Sequence, residues 1–388
     1  MPMGTTPPGT YLEFDDSHAR WPAGEDALID RMIEDLRTNN EFQYRKSRLR
    51  AAILRRGRPH AIRDAHAKSC GILHGELTVR SDIPQTHRQG MFAEPGRTYP
   101  VIARISSTSG AIRSDRVRGV RGLGLKILGV GSEDRAHPDF AGDANQDFVF
   151  VTEPEFLFAD AADYASSGMR TAKILARLPD AGMIALNGLL RGARAVVDRS
   201  GRPFPDKLRV FAEPNHHPLG QTFYTAAPVR FGKYIAKISV RPASTEVAAL
   251  QNTAITPPGY DAASAAVREF FSRNDAEYEV GAQLCTDTDE MPIEDATKPW
   301  SQELSPYVPV ATIRYPRQTA HSEQLRRFGD DELTFNSWRG IAEHVPLGSI
   351  NRLKLRVYAA SSKFRHDLNR VEYTEPADLS RFTDPDLG

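Results

Sequence analysis

Lys354, Tyr358, Ser361 and Arg365 recur at spacings of four, three and four residues within NRLKLRVYAASSKFRHD, which sets them on one face of a predicted helix. The neighbouring face carries Ile350, Leu353, Val357, Ala360 and Phe364, an apolar seam that would pack on a core. A phenol one turn from a cation on a half-buried helix is set up to ionise. The nearby positive charge favours phenolate, against the desolvation that would otherwise raise its pKa. A buried phenolate is a good ligand for ferric iron. A lone helical tyrosine is more often a packed residue with a satisfied hydroxyl, so the reading depends on what faces it.

The hydrophobic pattern indicates which elements position this stripe. The first 22 residues are rich in Pro, Gly and Thr and read as an extended arm. Leu28, Met32, Ile33 and Leu36 share a helical face over 24–38, and a second, basic helix is predicted over FQYRKSRLRAAILRRG, ending at Gly57 and Pro59. From 69 to about 150 the texture changes to strands, in ILHGELTV, TYPVIARIS, GLGLKILGV and QDFVFVT. Helices are predicted over 158–200. Strands resume in QTFYTAAPVRFGKYIAKISVRP, EYEVGAQLCT and VPVATIRYP, before a final helical region. Long strands without alternating helical crossovers indicate an α+β chain with an antiparallel sheet or barrel and helices outside it.

Composition narrows the function classes. Lys plus Arg is 50 and Asp plus Glu is 50, so overall charge points to neither nucleic acid nor membrane. Cys70 and Cys285 are too few for a disulfide framework or a cysteine zinc site and fit a reducing, cytoplasmic compartment. MPMGTTPPGTYLEFDD lacks a basic n-region and an apolar h-region, so no signal peptide is expected. No apolar run has the length of a transmembrane segment. The basic stretch 45–63 departs from the balance. Nucleic-acid binding there has only charge behind it, since Phe42 and Tyr44 are the nearby stacking residues. Membrane-surface contact is the other reading, on an apolar face that is narrow for the purpose.

The wall facing the stripe comes from RDAHAKSCG at 63–71, where His66 precedes a Lys by two residues and a Gly by five. RIS at 104–106, DRVRGVRGLGLKI at 115–127, GQTFYTAAPVRFGKYIAKI, EDATKPW and VPVATI follow in order. With Tyr358 and Arg365, these segments resemble the haem catalases in the same order over roughly residues 50–370. The resemblance implies an antiparallel β-barrel of about eight strands, surrounding helices and a haem-ligating C-terminal helix. It divides the chain into an N-terminal arm and helices (1–49), a haem-binding core (50–370) and a tail (371–388). It implies haem b, with Tyr358 on the iron, Arg63, Arg104 and Arg365 on the propionates, and Phe156 and Tyr164 as aromatic walls. Ser106 would bond one ring nitrogen of His66, fixing the tautomer and freeing the other nitrogen for a peroxide. Arg104 and Ser106, two residues apart on a strand, can address one pocket. A homo-oligomer is expected; bound NADPH is not, because no dinucleotide fingerprint is present.

Three departures from catalases shape the expected chemistry. Aligned without gaps from Asp147 through FVFVTEPEF, the paired distal asparagines fall on Val151 and Thr152. Thr152 would replace one hydrogen bond, and Asn145 would serve only if the chain bulged. Lys354 stands where catalases have an arginine one turn before the ligand, supplying a point charge without the planar fork. The chain also ends soon after the haem helix, without the C-terminal helical domain of ordinary catalases. Smaller relatives of this kind include allene oxide synthase and organic-peroxide-dependent peroxidases. The expectation is therefore an oxidoreductase acting on organic or lipid hydroperoxides, with or without a reducing co-substrate. Ordinary hydrogen peroxide dismutation and haem binding without turnover are the alternatives.

Overall fold

The computed structural model describes residues 11–383 apart from 56–57, 108, 170, 172–173 and 175–176, and only the backbone of 206, 207 and 210. The first ten residues of the predicted arm, the stop at Gly57 and the last five residues of the tail lie outside the described residues.

Nine antiparallel strands form the sheet: β1 (Lys68–Val79), β2 (Thr98–Ser107), β3 (Arg121–Ile127), β4 (Gln146–Val151), β5 (Phe223–Tyr224), β6 (Val229–Phe231), β7 (Tyr234–Pro242), β8 (Ala276–Leu284) and β9 (Val308–Tyr315). Their order is β5-β4-β3-β2-β1-β9-β8-β7-β6, and β5 also pairs with β7. That pairing closes eight strands into a barrel, with β6 attached as the hairpin partner of β7. Closure removes the exposed edges an open sheet would leave.

The period-two alternation decides which residues fill the barrel. In β3, Leu123, Leu125 and Ile127 join Val101, Ala103, Phe148, Phe150, Ile238 and Ile313 in the principal apolar core. Gly122, Gly124 and Lys126 therefore point outward. Full burial of one such aliphatic or aromatic side chain contributes about 1.5–3 kcal/mol, so this core is the main source of stability.

Among the described residues, four longer helices surround the barrel: α1 (Glu25–Leu54), α2 (Asp180–Arg199), α3 (Ala262–Phe271) and α4 (Ser349–Asn369). α1 is one helix where two were expected, and it crosses the 49/50 boundary. The segment TNNE contains no Gly or Pro to stop it. The Thr38 hydroxyl folds back onto the Glu34 carbonyl, and Asn39 and Asn40 are buried instead of capping a new helix. α4 follows the predicted pattern: Ile350, Leu353 and Val357 are buried, while Ala360 and Phe364 are half-buried. Leu353 and Val357 pack against Ile29 and Met32 of α1. Arg352 fixes the start of α4 by bonding both Glu25 and Glu294.

Candidate active site

His66 lies in the loop just before β1, and its φ of 56° puts a non-glycine residue in the left-handed region. Such strain is commonest at functional positions. The imidazole lies against β3: a Cβ on Gly122 would fall 2.2 Å from its Cε1, so a glycine is required there. His66 Nδ1 is 3.1 Å from the hydroxyl oxygen of Ser106 on β2. That hydroxyl donates to the Gly122 carbonyl at 3.4 Å, so Nδ1–H donates to Ser106 and Nε2 keeps its lone pair. Burial, with Arg104 and Arg63 nearby, holds the His66 pKa down to about 3. The ring is a neutral base.

Tyr358 comes from α4 and lines the same chamber as His66, together with Arg63, Arg104, Ser106 and Arg365. Its phenol is pushed well above the ordinary value, first by burial and then by the Asp64 carboxylate. This corrects the expectation that the cation one turn away would favour phenolate. The Lys354 ammonium, whose own pKa burial lowers to about 8, donates instead to Asn351 Oδ1 at 3.1 Å. Lys354 lines an adjoining, larger chamber that also reaches His66 and Tyr358, as do Phe156 and Tyr164, whose rings stand 6.5 Å apart at 63°.

The three arginines divide their work. Arg104 bonds Asp330 through two nitrogens and the His66 carbonyl at 2.7 Å. Two of its nitrogens thus hold the histidine loop, while the guanidinium still lines the chamber. Arg63 donates to the carbonyls of Gly329 and Leu333, and Arg365 to that of Leu333. Among the described residues, Nε of Arg63 and Nε of Arg365 are buried without a hydrogen-bond partner. Burial lowers both pKa values, helped by repulsion from Arg365 and Arg104 on Arg63 and from Arg104 on Arg365, which falls to about 10. Two under-satisfied guanidinium groups at the edge of a chamber suit a ligand bearing carboxylates.

The donor set also fits a porphyrin. Among the described residues no group of three or more His, Cys, Asp or Glu could hold a metal ion. Iron on Tyr358 would therefore need its other ligands from a cofactor. The larger of the two chambers holds about 270 Å³, just under the roughly 300–1,000 Å³ usual for small-molecule sites.

No family model matches the chain. A stretch of 105 residues is 33% identical to a catalase of Staphylococcus warneri, spanning 27% of this chain and 18% of that one. A fungal catalase structure matches 94% of this chain with a TM-score of 0.54, and catalase A of Saccharomyces cerevisiae matches 95% with a TM-score of 0.55. Both are 16% identical, and this chain covers 66% and 70% of their lengths. The chain has the catalase fold.

Within this catalase fold, the β4 register decides what stands beside His66. Val149 pairs with Gly124 and Val151 with Gly122. Both valines line the chamber with His66, followed by Glu153. Thr152 is not among the lining residues; its hydroxyl accepts the Arg121 N–H at 3.3 Å. The expected substitution of an amide by Thr152 is therefore not what the geometry offers. Asn145 does not replace it either. Its amide donates to Glu375 and to the Pro376 carbonyl, beside a cavity that reaches Tyr358 but not His66.

Sequence reasoning missed Asp64, Val149 and Asp330, and named Val151 only as the place of a lost asparagine. Strand alternation was the available signal for the valines, since it separates Val149 and Val151 from Thr152. Cys70 is buried beside the Ile105 carbonyl with its thiol pushed up to about 11, an inert thiol.

Proposed function

We propose that this protein is a haem-dependent, peroxide-activating enzyme whose substrates are organic or lipid hydroperoxides. The observation carrying this reading is the His66–Ser106 pair, whose imidazole faces a chamber shared with Tyr358 and walled by Val149 and Val151. Tyr358 would hold the iron of haem b, with the free donors of Arg63 and Arg365 for its propionates and Phe156 and Tyr164 as aromatic walls. When bound, haem supplies the redox centre for cleaving the peroxide bond.

The chain's own residues handle protons and position. Nε2 of His66 takes the hydroperoxide proton and returns it to the departing oxygen, so that an alcohol leaves rather than an alkoxide. Positioned acid–base help of this kind is worth about 10²–10⁴-fold. Ser106 holds the tautomer that makes this possible. Val120, Val149, Val151, Leu157 and Phe211 line the approach and suit an alkyl chain. They offer no side-chain donor to hold a second hydrogen peroxide beside His66, which disfavours dismutation.

Ordinary dismutation is the second reading, because the His66–Ser106 pair serves either peroxide. A haem carrier without turnover has no use for a tethered base. The deciding experiment adds hydrogen peroxide, then cumene hydroperoxide, to haem-reconstituted protein while following absorption and oxygen release. The reading expects a spectral response to the alkyl peroxide with little oxygen evolved. Vigorous oxygen evolution with no response to cumene hydroperoxide would overturn it.

A further inference from the structure

The C-terminal half of α1 takes no part in the site. Between residues 45 and 58 the sequence carries seven Lys or Arg and no Asp or Glu, in a chain of net charge +0. The helix is turned so that Tyr44, Ser47 and Ala51 are the partly covered positions. At 100° per residue, Phe42, Leu49 and Ile53 share the opposite face. Leu49 is 62% exposed and Ile53 70%. This apolar ridge points away from the protein. Arg45, Lys46 and Arg48 flank it, all exposed, and the Arg177 guanidinium stands 5.2 Å from the Phe42 ring. A shallow groove beside the ridge is lined by Arg45, Arg48 and Arg55.

We propose that this half of α1 docks on an anionic membrane surface. Apolar side chains centred between cations are the pattern of an interfacial helix: the ridge enters the headgroup boundary while the cations meet lipid phosphates and carboxylates. The other occupants fit less well. A two-fold contact between copies would set these cations against each other, a repulsive arrangement. A nucleic acid would use the arginines but has no need of an exposed aliphatic ridge. Leu36 of the same helix lines the large chamber, about 20 Å along the axis from Leu49 at 1.5 Å per residue. Docking would bring the chamber near the bilayer, where apolar hydroperoxides dissolve. That last clause rests on the proposed function; the docking does not.

The test is co-sedimentation of the full-length protein with phosphatidylcholine vesicles, with and without 30% phosphatidylserine. The proposal expects binding to the phosphatidylserine vesicles only, falling at least tenfold between 50 and 500 mM NaCl. It also expects Leu49→Ser/Ile53→Ser to weaken binding about tenfold, with unchanged thermal stability and unchanged cumene hydroperoxide turnover in solution. No binding to phosphatidylserine vesicles at 50 mM NaCl overturns it. So does equal binding by the double variant, whether the variant instead changes the sedimentation mass (a contact between copies) or duplex DNA binds both forms alike. Loss of peroxide turnover in the unaltered protein would refute the proposed function and leave membrane docking standing.

Discussion

The Ser361 hydroxyl donates to Asp64 Oδ1 at 2.7 Å, joining the loop that carries His66 to the helix that carries Tyr358. Asp64 is half-buried, and burial raises its pKa in spite of this bond. Ser361→Ala removes the donor and leaves the carboxylate, so it is expected to cost about 1 kcal/mol or somewhat more. Asp64→Asn keeps an acceptor for the hydroxyl and removes the charge, so it should be near neutral. Thermal unfolding of the two variants checks the contrast; equal losses would show that the charge itself holds the contact.

The His66–Ser106 pair makes separable claims about haem uptake and turnover. His66→Gln should lower the hydroperoxide rate by about 10²–10⁴-fold while haem content, read at the Soret maximum, is unchanged. Ser106→Ala removes one orienting hydrogen bond of about 1 kcal/mol, or roughly a fivefold loss. With the His66 pKa held near 3, the ring is neutral from about pH 5 to 9, so the pH–rate profile should show no histidine limb near the ordinary value of about 6.5. A limb there would mean that the ring is far better solvated than its burial implies.

The register of β4 is open to direct test. Val151→Asn places an amide in the chamber beside His66 and is expected to raise the ratio of hydrogen peroxide to cumene hydroperoxide turnover about tenfold, since one good polar contact is worth about 1.4 kcal/mol. Thr152→Asn, on the face that bonds Arg121, should leave the ratio unchanged. If Thr152→Asn shifts the ratio and Val151→Asn does not, the strand is set one residue out.

These two positions also show what the sequence could and could not reveal. The strands of β1 to β4 and the α4 stripe were legible because their periods are short and local. Tyr358, His66, Ser106 and Arg365 were named because each sits in a segment whose order along the chain is distinctive. What escaped depends on partners far apart in sequence. Arg104 bonds Asp330, more than two hundred residues away, and that preference is not written in local spacing. Lys354 bonds Asn351, three residues before it on the same helix, a partner that local spacing did offer. Thr152 was misplaced because matching residue types overrode strand alternation, which already put it on the wrong face. The single α1 was missed because the apolar pattern lapses at its middle, where Asn39 and Asn40 are buried instead.

Acid should destabilise the fold through buried histidines outside the site. Burial holds His87, His217 and His344 down to about 4, against about 6.5 in the unfolded chain. Above about pH 6.5 both states are neutral and these groups contribute nothing to the pH dependence. Between about 6.5 and 4 the unfolded chain binds protons that the native state refuses, so stability falls as pH falls, by up to about 1.4 kcal/mol per pH unit for each histidine. Below about 4 the slope flattens. Unfolding temperatures from pH 7 to 5 measure this, and His87→Phe should reduce the slope by about a quarter, since His66 contributes alongside these three. A flat profile in the parent protein would sink the account.

The segment after α4 belongs to the folded core, because Glu375 completes a buried charge network. Lys126 and Asp147 are both 0% exposed and 2.7 Å apart. Glu375 bonds Lys126 from the other side, and Arg339 bridges Asp147, Asp143 and Tyr373. Two cations here meet three carboxylates, so removing one acid does not simply cancel one pair. Glu375→Ala leaves Lys126 with Asp147, and it also frees the Asn145 amide that Glu375 accepts from. The expected cost is therefore about 2–3 kcal/mol, below the 3–5 kcal/mol typical when a buried ion loses its sole partner. Lys126→Met, which strands Asp147 and Glu375 together, should cost more than Glu375→Ala. Urea unfolding of the two variants gives the order, and the reverse order would show that Glu375, not Lys126, is the keystone of the network.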